Sequence, residues 1–246
     1  MPKSFFLFFI LKSVRFNKLF MNKTAHKKQL RDFLFGYISE NKKSLFETLI
    51  KHRTRHIAVV LEDIYQPHNA SAVLRSADLF GVQDIHIIEN RNQYEVNPDV
   101  ALGSSKWLTL NKYNNQEQNT LACFDALRNK GYKIVATTPH KNEVMLEDLP
   151  LEQKTAVVFG TELKGLSDIA LQNADAYVKI PMYGFTESFN ISVSAALTLF
   201  NLTERLRKSD IAWQLTEAEE IDIQIEWAKS TIKKVDLMIK EFEKKK

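Results

Sequence analysis

The 246-residue sequence predicts an α/β fold with a mainly parallel sheet, and three observations carry that prediction. Short β-branched runs such as Ile57–Leu61 and Thr155–Phe159 have the length and composition of buried strands. Amphipathic stretches long enough for helices separate them, which is the alternation of a parallel sheet with crossover helices. Glycine is scarce, seven in all, and Gly81 and Gly131 stand where helices should stop.

Taken in order, the chain opens on an apolar run, Phe5 to Leu11, far shorter than the roughly 20 residues of a bilayer span. Lys12, Arg15 and Lys18 follow it without a small-residue cleavage site, so residues 1–21 read as an extension preceding a start at Met21. Leu30, Phe33, Leu34, Tyr37 and Ile38 share a helical face, and Ser44-x-x-Glu47 is a capping-box pattern ahead of Leu45, Phe46, Leu49 and Ile50. Residues 22–56 therefore read as a basic helical arm, with Gly36 a kink or a boundary. From 57 the pattern changes. Ile57–Leu61 is a strand, and Pro67 and Asn69 open a helix to Phe80. Ile85–Ile88 is a strand. Asn119 caps a helix with Leu121, Phe124 and Leu127 on one face. Tyr132–Thr137 and Thr155–Phe159 are strands, Ser167–Asn173 a short helix, Tyr177–Ile180 a strand and Asn190–Arg207 a long helix. This core spans 57–208. In the extension at 209–246, Thr216-x-x-Glu219 is a second capping box. Ile221, Ile225, Ala228, Ile232, Val235, Ile239 and Phe242 then form the heptad seam of one long helix. The seam could face the body, the N-terminal helices or a second subunit.

Composition bounds the function. Hydrophobic residues at 44% and charged residues at 26% exclude wholesale disorder, collagen and a membrane bundle. The single cysteine, Cys123, allows neither an intrachain disulfide nor a cysteine-based zinc site, and fits a reducing, cytoplasmic setting. His52 and His56 lie one helical turn apart but lack a third ligand nearby, so no metal is expected. The charge is uneven: residues 1–56 carry a net +10, residues 57–205 a net −6, and the remainder is balanced. A basic arm on an acidic body points to a polyanionic partner. The run Lys51-His52-Arg53-Thr54-Arg55-His56 is its densest part. Lys51, Arg53 and Arg55 are the candidate RNA contacts, the other reading being a solvated helix end.

Gly103, Gly160, Gly165 and Gly184 fall in loops that follow predicted strands, and open α/β sheets bind ligands outside the carboxyl ends of their strands. Neither Gly-x-Gly-x-x-Gly nor a Walker pattern is present, which weakens ordinary dinucleotide binding and P-loop chemistry.

Three segments carry a resemblance. Asn69-Ala-Ser-Ala-Val-Leu-Arg75 resembles motif 1 of the SpoU/TrmH branch of the SPOUT methyltransferases. Phe159-Gly160-Thr-Glu162-x-x-Gly165 resembles motif 2. Ile180-Pro181-Met182-x-Gly184-x-x-x-Ser188-Phe189-Asn190-x-Ser192-Val-Ser194 resembles motif 3, with Phe189 where leucine is usual. Gly103-Ser104-Ser105-Lys106-Trp107 is similar to a further family segment. The resemblance covers about residues 57–205 and implies 2′-O-methylation of RNA ribose with S-adenosylmethionine, a trefoil-knotted C-terminal half and a homodimer. It also implies roles. Asn69, Arg75, Glu162, Ser188 and Asn190 would form the catalytic set; Thr137, Gly160, Ile180 and Phe189 would line the cofactor pocket.

Arg75 reads first as positioner and electrostatic stabiliser and second as base, because a guanidinium hardly gives up its proton. It lies six residues after Asn69, nearly two turns, and both are expected to project towards one side. Asn69, Ser188 and Asn190 have capping roles as their plainer alternatives, and Glu162 could cap the helix that follows. Short basic helices in front and a helix behind resemble the family's enzymes for guanosine 18 of the tRNA D-loop. Another tRNA position, rRNA, or a knotted RNA-binding protein without catalysis are the other readings.

Overall fold

A computed structural model describes residues 24–94, 101, 103–138, 144–161 and 164–244; the expected extension at 1–21 and Glu162 lie outside the described residues. The chain divides into two compact units, one built from its two ends, up to Lys51 and from Leu215, and the other from His52–Gln214.

Helix α1 covers residues 24–35 and ends at Gly36, a boundary rather than a kink, whose amide donates back to the Phe33 and Asp32 carbonyls. Helix α2 (Glu40–Ile50) starts from an extended Ser39. Ser44 is therefore inside the helix, and the expected box with Glu47 does not form. Phe46 and Ile50 are buried while Leu45 and Leu49 are exposed, so the apolar face is half as wide as the sequence implied.

The other unit is a seven-stranded sheet in the order β3-β2-β1-β6-β4-β7-β5. Its strands are β1 (Thr54–Glu62), β2 (Val82–Ile88), β3 (Thr109–Tyr113), β4 (Lys133–Thr137), β5 (Val144–Met145), β6 (Thr155–Phe159) and β7 (Ala176–Lys179). Every pairing between these strands is parallel. Strands β2 and β6 are buried at every position, as expected where helices cover both faces. Ile57, Val59 and Leu61 of β1 face one core, shared with α3 (Pro67–Leu79) and α6 (Ile191–Arg207). Ala58 and Val60 face the other, shared with α4 (Asn119–Arg128) and α5 (Asp168–Asn173). From β1 the chain builds outward through β2 and β3, then crosses to place β4, β6, β7 and β5 on β1's other side. The β1–β6 junction is thus where the winding reverses.

Gly81 and Gly131 end α3 and α4 at φ +76° and +83°. The cap of α4 is Gln118, whose side chain accepts from the Thr120 amide, and not Asn119. Its buried face holds Thr120, Cys123, Phe124 and Leu127, leaving Leu121 exposed.

The tail holds two helices where the heptads implied one. Helix α7 (Glu217–Thr231) begins with the expected box, Thr216 accepting from the Glu219 amide and Glu219 accepting from the Thr216 amide. It stops at an extended Ile232, after Ser230 and Thr231, and Lys234 at φ +58° turns the chain into α8 (Val235–Lys244). Serine and β-branched residues in succession are poor helix formers, which the apolar spacing conceals. Within its unit the tail packs on the N-terminal helices: Trp227 meets Phe46 at 5.2 Å between ring centres, and Phe242 meets Phe33 at 5.3 Å. No described helix is long and apolar enough to cross a membrane.

Candidate active site

At the carboxyl ends of β4, β6 and β7 lies a cavity of about 360 Å³. Thr137, Gly160, Ile180 and Phe189 all line it, and Ser188 lies at the same wall. Residues that sequence patterns passed over complete the lining, among them Thr138, Lys164, Glu187 and Thr198. Thr198 was readable only as a helix interior position. It is buried, and its hydroxyl has no hydrogen-bond partner among the described residues. The Thr137 hydroxyl donates to the Val158 carbonyl at 2.8 Å and so ties β4 to β6 beside the cavity.

The wall after β6 doubles back on itself. Thr161 and Gly165 exchange two backbone hydrogen bonds at 2.9 Å. A Cβ on Gly160 would stand 2.2 Å from the Gly165 carbonyl carbon, so only glycine permits this hairpin, and Gly165 takes φ +66°. Behind it, the buried Glu62 at the end of β1 accepts from the Ser167 amide and hydroxyl and from the Thr120 hydroxyl, at 2.7–2.8 Å. Ser167 in turn caps α5 by accepting from the Ala170 amide. The end of the motif 2 loop is thereby fixed to the central strand.

Motifs 1 and 3 meet through amides. Asn190 caps α6 by accepting from the Ser192 amide at 2.9 Å, and its Nδ2 donates to Asn69 Oδ1 at 3.3 Å. Asn69 Nδ2 donates to Gln66 Oε1 at 2.9 Å. Gln66 occupies the cap position of α3 and Pro67 follows it, so Asn69 is a buried first-turn residue and not the cap. Arg75 does not share its side. Six residues advance a helix by about 600°, which leaves the two roughly 120° apart. Asn69 points inward and Arg75 is exposed, with no ion-pair or hydrogen-bond partner among the described residues.

Only the start of the basic run is a helix end, Lys51 being the C-cap of α2. Lys51 follows α2, while Arg53 and Arg55 enter the sheet unit with β1. The Arg53 side chain is 5% exposed and pairs with Asp78, which removes it from the residues that can reach RNA. Arg55 Nε stands 3.7 Å from Asp84, and Lys51 Nζ 2.7 Å from Glu220.

A family model described as the SpoU rRNA Methylase family matches residues 56–200. The chain belongs to the SpoU methylase family. A tRNA (guanosine(18)-2′-O)-methyltransferase of Borreliella burgdorferi is 45% identical over 200 residues, 81% of this chain and 90% of the relative. The enzyme of that name from Thermus thermophilus is 31% identical, over 70% of this chain and 87% of its own. Among solved structures, the A. aeolicus TrmH/SpoU tRNA modifying enzyme superposes with a TM-score of 0.70 at 27% identity, covering 79% of this chain and 98% of its own. The matched segment runs from β1 into α6 and so contains every motif that shapes the cavity of this SpoU methylase.

Proposed function

We propose that this SpoU methylase transfers a methyl group from S-adenosylmethionine to the ribose 2′-oxygen of guanosine 18 in the tRNA D-loop. The observation that carries the reading is the convergence of Thr137, Gly160, Ile180 and Phe189, distant in sequence, on one cavity wall. Its volume lies within the range of small-molecule sites. Apolar walls from Leu146, Ile180 and Phe189 suit an adenine ring, and the unpartnered Thr198 hydroxyl offers a buried polar contact, so the residues present fit the cofactor. The bound cofactor would supply an electrophilic methyl on a sulfonium.

The chain's own part is alignment, which can carry much of such a reaction. Asn69 and Asn190 hold motifs 1 and 3 in register. Arg75, exposed and without a protein partner among the described residues, is free to take a phosphate through its planar fork and to stabilise charge at the attacking oxygen. Ser188 and, by the family resemblance, Glu162 complete the proposed set. The outer face of α6 presents Val193, Leu197 and Phe200 to solvent, and Leu79 on α3 is exposed as well. An apolar face of this kind supports a homodimer through the knotted core that the family resemblance implies, operating in the cytoplasm. Lys51 in the basic arm is the proposed RNA contact that stays accessible.

The test is methyl transfer from labelled S-adenosylmethionine to an unmodified tRNA transcript, with the modified nucleotide mapped. Label on the ribose of guanosine 18 is expected. Label on another nucleotide overturns the substrate assignment, and no transfer to any RNA overturns the enzymatic one.

A further inference from the structure

A second cavity, about 830 Å³, lies across the motif 2 hairpin from the first and shares Thr161, Lys164, Gly165 and Leu166 with it as a common wall. It opens where the loop after β1 meets the loop after β6, the junction at which the sheet's winding reverses. Doubly wound sheets place ligands in that crevice. In this molecule the cavity assigned to the cofactor lies farther along, beyond β6, so the ordinary ligand position of the sheet is still to be assigned.

The groups around this second cavity have a definite chemistry. Tyr65 is 73% exposed. Arg91 and Lys164 are exposed, and their cationic side chains have no ion-pair or hydrogen-bond partner among the described residues; the exposed Asp168 lines the same cavity. Gln66 and Gln118 spend their carbonyl oxygens on Asn69 Nδ2 and on the Thr120 amide, which leaves their amide nitrogens as donors into the cavity. The frame is rigid. Asp63 adopts φ +53°, costly for a residue with a side chain, and its carboxylate accepts from the amides of Asn90, Arg91 and Asn92 at 2.7, 2.8 and 3.4 Å. Asn92 Nδ2 donates back to the Asp63 carbonyl at 2.8 Å. The backbone carrying Arg91 is thus pinned to the end of β1 before any ligand arrives.

We propose that this cavity is a nucleotide subsite for the RNA substrate, taking an unpaired base next to the one that is methylated. The base stacks on Tyr65, its edge meets the Gln66 and Gln118 amides, and its phosphates meet Arg91 and Lys164. An exposed aromatic flanked by cations is how proteins hold single-stranded nucleic acid, since every base has a face to stack. Sequence-specific reading of RNA works on such splayed bases and not on the duplex. The assignment rests on the reading of the protein as an RNA methyltransferase and adds a second point at which the RNA is held.

Tyr65 and Arg91 line only the second cavity, so their variants separate it from the first. Binding of an unmodified tRNA transcript is measured over a salt series for the full chain and for Tyr65→Ala, Tyr65→Phe and Arg91→Ala. Affinity for S-adenosylmethionine is measured by calorimetry on the same samples. Tyr65→Ala is expected to weaken tRNA binding by about 5- to 150-fold, the loss of one stacked base, while Tyr65→Phe stays within about twofold. Arg91→Ala is expected to lower the salt slope of log K by roughly 0.7–0.9. Cofactor affinity is expected to hold within about twofold throughout. Wild-type affinity and slope in both alanine variants, with the wild-type protein methylating tRNA, overturns the subsite and leaves the proposed activity standing. Loss of cofactor and tRNA affinity together in Tyr65→Phe also overturns it, because Tyr65 would then serve the fold. No methyl transfer by the wild-type protein to any RNA removes the reading on which the subsite rests.

Discussion

The helices at the two chain ends and the carboxyl edge of the sheet use positive charge in opposite ways. In the helical unit, Lys27, Lys28 and Lys51 meet Asp222, Glu217 and Glu220 of α7, and Lys43 meets Glu40. Positive charge is dense there and mostly answered by acids of the same unit. In the sheet unit, by contrast, the exposed side chains of Arg75, Arg91 and Lys164 have no ion-pair partner among the described residues, although Asp168 lines the same cavity as the last two. Density along a chain therefore says little about where a polyanion will sit. What counts is the charge left unanswered once the chain has folded.

The contrast can be broken most severely inside the sheet unit. Arg53 and Asp78 form a nearly buried pair, and removing one partner leaves the other charge stranded. Arg53→Ala is expected to lower unfolding free energy by about 3–5 kcal/mol in a urea titration. A cost below about 1 kcal/mol would return Arg53 to the surface cations.

The same interior keeps an unanswered group neutral. His86 on β2 is buried with Nδ1 3.0 Å from the Tyr113 hydroxyl, and burial, followed by the Lys130 charge, pushes it down to about 4. An unfolded chain takes that proton near pH 6.5. The stability it contributes is thus full above about pH 6.5 and is lost as pH falls toward about 4, by roughly 3 kcal/mol. His86→Asn should flatten this part of the stability–pH curve. A wild-type slope in the variant assigns the acid loss to other groups.

Arg75 sharpens the comparison from the unanswered side. Arg75→Ala is expected to slow single-turnover methyl transfer by about 100-fold or more, with cofactor affinity within a few-fold. A near-wild-type rate would take Arg75 out of the active site. At the small end stands Lys51→Ala. Its pair with Glu220 is exposed, so stability should change by less than about 1 kcal/mol. The salt slope for tRNA binding should fall by less than the roughly 0.7–0.9 of a full phosphate contact, because Glu220 competes for the lysine. A full-contact drop would show that the acid yields to RNA.

Much of this was legible beforehand. The fully buried strand Thr155–Phe159 announces itself as an apolar run, whereas β2 was legible only over Ile85–Ile88 because Gln83 and Asp84 mask its start, and Gly81 and Gly131 close their helices as glycine must. Strand β3 escaped because Thr109–Tyr113 is an edge strand, with Leu110 and Tyr113 half-buried among polar residues. Strand β5 has only two residues. The convergence of Thr137, Gly160, Ile180 and Phe189 on one cavity was legible through motifs. Arg53 was misread because the acid that answers it, Asp78, stands 25 residues away on another element. Tyr65 and Arg91 gave no signal at all. They share a cavity only because β1 pairs with β2 on one side and with β6, about a hundred residues away, on the other, which local patterning does not encode.

Thr161, Lys164, Gly165 and Leu166 form a partition with a compartment on either side. On the proposed assignments cofactor and RNA would lie on either side of the shared wall, and their binding energies would be coupled to the extent that it shifts. Thermodynamic linkage makes that coupling symmetrical: whatever factor the cofactor adds to RNA affinity, RNA adds to cofactor affinity. Glu62, which holds Ser167 just past that wall to the end of β1, is the contact through which such a shift would be resisted.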